Sequence, residues 1–153
     1  MKYMNIELKG RKAIVTGSTA GIGRATAEGL ARAGASVVIN GRGDARVDEA
    51  VRQMRQALPG RDISGIAADL STVKGAEAFF AQASAVDILV NNLGTAVLRD
   101  FVDTADEDWL SLFLINVMSG VRMTRHFCRG WYDRAGAASF SSAANPQSIH
   151  PRR

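Results

Sequence analysis

Thr16-Gly17-Ser18-Thr19-Ala20-Gly21-Ile22-Gly23 gathers three glycines and three hydroxyl side chains directly after the apolar run Ala13-Ile14-Val15. Hydroxyl side chains offer hydrogen bonds without bulk, and glycine lets the main chain turn tightly and approach a partner where a side chain would collide. Ile22, Ala25, Leu30 and Ala31 follow at helical spacing, so the glycines fall where a buried strand turns into a helix. The first N–H groups of such a helix lack intrahelical partners and lie at the positive end of its dipole, which makes the turn a site for a phosphate or pyrophosphate. The Gly-x-x-x-Gly-x-Gly spacing differs from the common dinucleotide pattern Gly-x-Gly-x-x-Gly. No Lys-Ser or Lys-Thr pair follows it, which argues against a nucleoside triphosphatase.

Three of the other stretches of interest fall where strands or helices are expected to place them: Asp69 and Asn91 to Gly94 after strands, Asn116 within a helix. Asp69 follows the apolar stretch Ile63 to Ala67, where its carboxylate can accept from a ligand or cap the next helix. Asn91 and Asn92 follow Val86 to Val90 and carry both donors and acceptors, and Gly94 permits close approach. Asn116 stands among Leu114, Ile115, Val117 and Met118, where a polar amide requires a partner.

The elements that must position these groups alternate in kind. Ala13 to Val15, Val37 to Ile39, Ile63 to Ala67 and Val86 to Val90 read as buried strands. The first helix runs to about Ala33, with Gly34 placed to end it in the left-handed conformation. Val47, Val51, Met54 and Leu58 mark one face of a second helix, which Pro59-Gly60 stops; Val73, Ala76, Phe79, Phe80 and Ala83 mark a third. Thr104 with Glu107 reads as a capping box opening a long fourth helix, with Leu110, Phe113, Leu114, Val117 and Val121 as its core face. The expected class is α/β, a three-layer doubly wound fold around a parallel sheet.

Composition narrows the function. With 46% hydrophobic and 22% charged residues the 153-residue chain is globular rather than disordered. No apolar run reaches transmembrane length, and single Cys128 makes no internal disulfide, so a cytoplasmic setting is expected. From Arg122 onward six arginines face one acid, Asp133, yet no aromatic interleaving accompanies them, so nucleic-acid binding is not expected. His126 and His150 are isolated and no metal site is expected.

Residues 7 to 130 resemble the short-chain dehydrogenase/reductase family. Thr16 to Gly23 resembles its glycine motif, Asp69-Leu70 its adenine-side acid, and Asn91-Asn92-Leu93-Gly94 its fourth-strand motif, with Leu93 where alanine is usual. Asn116 resembles the asparagine of its catalytic tetrad. The resemblance implies a Rossmann fold and an oxidoreductase that moves hydride between a nicotinamide cofactor and a carbonyl or alcohol, with residues 16–19, 21–23, 42, 69, 70, 91, 92 and 94 on the cofactor. Between the second strand and Asp44 there is no acid to hold an unphosphorylated ribose, whereas Gly41 leaves space and Arg42 offers a forked cation. NADP is therefore expected over NAD.

One part of the pattern breaks. Family enzymes use a Ser and a Tyr with Lys four residues later, but the tyrosines here are Tyr3 and Tyr132 and the last lysine is Lys74. Tyr132 is expected at the wrong end of the sheet. Ser141 and Ser142 stand near a poor fifth-strand stretch, 137–140. The expectations are a cofactor-binding portion over 1–130, incomplete after the fourth strand, a divergent tail over 131–153 from truncation or a frameshift, and no turnover. An alternative is a non-catalytic interaction module. An uncovered fourth strand and helix would promote self-association or association with an intact homologue.

Overall fold

β1 (Lys12–Val15), β2 (Ser36–Gly41), β3 (Ile63–Ala67) and β4 (Ile88–Val90) pair in parallel in the order β3-β2-β1-β4 in a computed structural model. The structure describes residues 6–135; Ser141, Ser142, His150 and the expected fifth strand lie outside the described residues. Ala13, Ile14 and Val15 have no exposed surface, as an unalternating apolar run between two neighbouring strands requires. β1 aligns Ala13 with Val37 on one side and with Ile88 on the other.

Each face of the sheet has its own core. Ala13 and Val15 pack with Ala27 and Ala31 of α1 (Gly21–Arg32) and with Ala50 and Met54 of α2 (Asp44–Ala57). Ile14 turns to the opposite side, toward Phe79 of α3 (Val73–Gln82) and Met123 and Phe127 of α5 (Ser119–Ala135). The three-layer doubly wound arrangement follows from this division.

The buried face of α1 differs from the sequence expectation. Gly23, Ala27 and Ala31 are buried at intervals of four, while Ile22 is 81% exposed and Ala25 is exposed. Small residues bring the helix close to β1, and a larger side chain on that stripe would hold it away. Gly34 does follow the helix in the left-handed region, at φ 100°.

The expectation that the fold is incomplete after the fourth strand is overturned. Beyond β4 the chain continues through a 3₁₀ turn (Phe101–Asp103), α4 (Asp106–Phe113), a π-helical segment (Leu114–Met118) and α5. The helical layer is held by its own contacts: Met123 and Phe127 are buried, Arg122 donates to the Ser71 carbonyl at 2.9 Å, and Trp131 Nε1 donates to the Val86 carbonyl at 2.6 Å. The fourth-helix details also change. Thr104 donates to the Asp100 carbonyl instead of capping, and Asp108 accepts from the N–H of Ala105 at 3.3 Å. Leu110, Phe113, Leu114, Val117 and Val121, the expected apolar face, are between 42% and 63% exposed, in keeping with the expectation of an uncovered helix.

His126 joins α5 to α3 by stacking on Phe80, with ring centroids 3.9 Å apart and planes 3° apart. Desolvation, reinforced by the charge of Arg129, holds its pKa below the ordinary 6.5. The neutral ring is thus favoured in the folded chain, and this contribution is present above pH 6.5 and lost as pH falls through the lowered value. Thermal melts at pH 7.5 and 5.5 should show a smaller acid-induced drop in Tm for His126→Gln than for the parent; an equal drop would refute the assignment.

Candidate functional site

The exits of β1, β2, β3 and β4 converge on one end of the sheet, and short polar side chains bind them together. Thr16 Oγ1 accepts from the N–H groups of Asn92 and Leu93, both at 3.0 Å. Asn92 returns both amide hydrogens, donating to the carbonyls of Thr16 and Gly17 at 3.0 Å each. Ser18 Oγ donates to the Val15 carbonyl at 2.5 Å and accepts from the N–H of Asn40 at 3.0 Å. The turn between β1 and α1 is therefore anchored to β4 on one side and to β2 on the other.

Its glycines are required by space as well as by conformation. Gly17 has φ 60°, and a Cβ there would stand 3.0 Å from the Leu93 Cα. At Gly23 a Cβ would come within 2.4 Å of Asn92 Nδ2 and 2.6 Å of the Gly17 carbonyl oxygen. The bond from the Arg24 N–H to the Ala20 carbonyl, at 3.3 Å, opens α1. This leaves the N–H groups of Gly21, Ile22 and Gly23 at the positive helix end, where an anion is stabilised.

Two adjoining cavities lie over this end of the sheet. One, of about 400 Å³, includes Gly17, Thr19, Gly41, Arg42 and Arg46; the other, of about 150 Å³, includes Arg42, Asp69, Gly94 and Thr95. Arg42 borders both. Gly41 leaves room beside Thr19, whose Cγ2 would be 2.6 Å from a Cβ at that position. Asp69 is not the cap of α3: Thr72 accepts there from the Gly75 N–H, while Asp69 Oδ1 accepts from the N–H and hydroxyl of Ser71 at 3.0 and 2.6 Å.

The remaining expected site residues divide. Leu70 is buried in the core toward α3, so it presents no side chain to the cavities. Asn91 is turned toward α5, donating to Thr124 Oγ1 at 2.9 Å. Asn116 lies in the π-helical segment and is exposed rather than enclosed among its apolar neighbours. Its amide closes both ends on Thr95, accepting from the N–H at 2.7 Å and donating to the carbonyl at 2.9 Å, which fixes the loop after β4. Tyr132 follows Trp131, which is bonded to Val86 ahead of β4, the end of the sheet away from the cavities.

Arg46 and Asn40 border the larger cavity but are absent from the sequence-based set. Arg46 reaches it from the first turn of α2, whose helical stripe draws attention to Val47 instead. Asn40 carried a visible signal: it is a polar residue ending the apolar run of β2.

Among the described residues, no helix is long and apolar enough to cross a membrane. No group of three or more His, Cys, Asp and Glu among them is arranged to hold a metal ion.

The family model described as short chain dehydrogenase matches residues 11–142. The match continues past Trp131, and this overturns the expectation of a truncated or frameshifted N-terminal portion that loses its pattern there. The uncharacterized oxidoreductase YvaG of Bacillus subtilis is 39% identical over 131 residues, covering 86% of this chain and 50% of YvaG. The crystal structure of L-sorbose reductase from Gluconobacter frateurii complexed with NADPH and L-sorbose superposes with a TM-score of 0.78 at 35% identity, covering 86% of this chain and 51% of that one. The Pseudomonas aeruginosa RhlG/NADP complex has a TM-score of 0.74 at 31% identity, covering 88% and 53% of the respective chains. The chain spans about half the length of the curated relatives it matches.

The close approach at Gly23 gives a direct test. Gly23→Ala forces Asn92 or the Gly17 carbonyl to move and should destabilise the fold by about 1–3 kcal/mol in urea melts. Gly29→Ala, in the same helix with open space around it, should not destabilise it. Equal effects would mean that the approach of α1 to β4 is not restrictive.

Proposed function

Because the chain belongs to the short chain dehydrogenase family, we propose that it provides the NADP(H) site of an oxidoreductase that interconverts carbonyl and alcohol groups. The observation that carries the cofactor choice is the pair of guanidinium groups, Arg42 and Arg46, beside Gly41 in the larger cavity. A ribose bearing an extra phosphate suits two cations and an unobstructed floor, whereas an unphosphorylated ribose is commonly held by a carboxylate at this point.

The rest of the cavity fits a dinucleotide. The bridging phosphates are assigned to the N–H groups of Gly21, Ile22 and Gly23, with Thr19 beside them, and exposed Ile22 lies where a bound cofactor would cover it. Asp69 is assigned to the adenine amino group, and Gly94 and the Thr95 loop, held by Asn116, to the nicotinamide side. When bound, the cofactor supplies or receives the hydride. NADPH and NADP accompany L-sorbose reductase and RhlG in the similar structures, which supports the same choice here.

Proton transfer is a separate requirement. The family uses a Tyr with Lys four residues later to hold and move that proton, and these 153 residues contain no such pair. Residues 1–153 on their own are therefore expected to bind NADP(H) without turning it over.

A second reading is favoured by the exposed row Leu110, Phe113, Leu114, Val117 and Val121. An apolar patch of this kind is a surface for association with another protein, here an intact homologue or a second copy, and would make the chain a non-catalytic interaction module.

Fluorescence titration should show NADPH binding at least about tenfold more tightly than NADH, equivalent to about 1.4 kcal/mol. Arg42→Ala and Arg46→Ala should each remove most of that preference while leaving NADH affinity unchanged, and NADPH should not be consumed with added ketones. Equal affinity for the two cofactors would defeat the NADP assignment. Turnover abolished by Tyr132→Phe would defeat the inactive reading. For the second reading, Phe113→Glu with Val117→Glu should convert larger species to monomer in light scattering, and a monomeric parent that does not co-purify with a homologue would refute it.

A further inference from the structure

Asn40 occupies the last part of β2, is 1% exposed, and has every polar atom engaged. Its N–H donates to Ser18 Oγ at 3.0 Å and its carbonyl accepts from the Ser18 N–H at 2.8 Å. The side-chain Oδ1 accepts from the Gly17 N–H at 3.4 Å. On the other side, Nδ2 donates to the carbonyls of Ile66 and Ala68 at 3.0 and 3.1 Å. One residue thus grips the glycine turn after β1 and the exit of β3, immediately before Asp69.

We infer that Asn40 is a positioning residue that fixes the distance and orientation between the phosphate-binding turn and the Asp69 loop before a dinucleotide arrives. The inference rests on the cofactor reading above and extends it: the two segments take different parts of one ligand. A ligand that spans two rigidly related surfaces binds without the cost of ordering them, whereas a loosened relation imposes that cost on binding.

The amide is chemically specific for this task. It offers one acceptor to an N–H and two donor hydrogens to two carbonyls. Aspartate would set a carboxylate against the Ile66 and Ala68 carbonyls. Leucine would leave those carbonyls and the Gly17 N–H without their partner, a penalty that buried polar groups incur in full. Alanine removes the bridge while leaving the backbone bonds to Ser18 available.

The test compares a ligand that spans both segments with one that engages only the adenosine side. NADPH and 2′-AMP are titrated into the parent, Asn40→Ala and Ile39→Val, the last being a conservative change at a fully buried neighbour in the same strand. Asn40→Ala should weaken NADPH about 10- to 100-fold while 2′-AMP changes less than about twofold. Ile39→Val should alter neither, even where it lowers the melting temperature.

Equal NADPH affinity in Asn40→Ala, or equal loss for both ligands, would overturn the positioning role. Failure of the parent to bind NADPH would instead overturn the cofactor reading itself. Should Asn40→Ala not fold, amide exchange on the parent without nucleotide decides: the Gly17 N–H, which the Asn40 side chain accepts from, should be protected, and rapid exchange there would show that the side chain does not hold the turn in advance.

Discussion

A parallel sheet leaves main-chain donors and acceptors unpaired where its strands end, and in this protein those groups must be satisfied in a region that also has to stay open. Thr16, Ser18, Asn40 and Asn92 meet the requirement with side chains of one or two polar atoms, reaching across β1, β2, β3 and β4. Because side chains rather than additional main chain fill this role, the helix start above them keeps its N–H groups unspent. The same bonds that complete the sheet thus create its electropositive mouth.

That arrangement explains why the glycines cannot be read as punctuation alone. Gly17 is shaped by its positive φ and by Leu93, whereas Gly23 is constrained by Asn92 reaching under the helix from β4. Two residues in one motif therefore answer to different neighbours. The charges nearby follow a similar division, with Arg42 bordering both cavities and Arg46 reaching the larger one from α2.

Much of the fold was legible from local pattern. The unalternating run at 13–15 identified a central strand, Gly34 marked the end of α1, and the glycine cluster located the strand-to-helix turn. The face of α1 was misread because Ile22 outweighs Gly23 on any hydrophobic count, yet closeness to the sheet selects the smaller residue. The capping box at Thr104 failed for a related reason: a local signature does not reveal which competing bond is available. The apolar row from Leu110 to Val121 and its exposure were both expected, while the burial of this helical layer lies farther along, at Met123 and Phe127. Asp69, Asn92 and Asn116 were recognisable as polar groups near strand ends or in an apolar helix. The partners of Asn92 and Asn116 were not, since Thr16 and Thr95 become their neighbours only through the tertiary arrangement, whereas Ser71 lies two residues from Asp69 and was within local reach.

The π-helical segment at Leu114–Met118 has a consequence for how this helical layer tolerates change. Such a segment accommodates an additional residue within a helix, and one residue corresponds to about 100° of rotation. It therefore acts as a phase adjuster: the segment itself can aim Asn116 at Thr95 while the helix downstream aims Met123 and Phe127 inward. Losing one residue there would put the two aims out of step, even with every individual side chain retained.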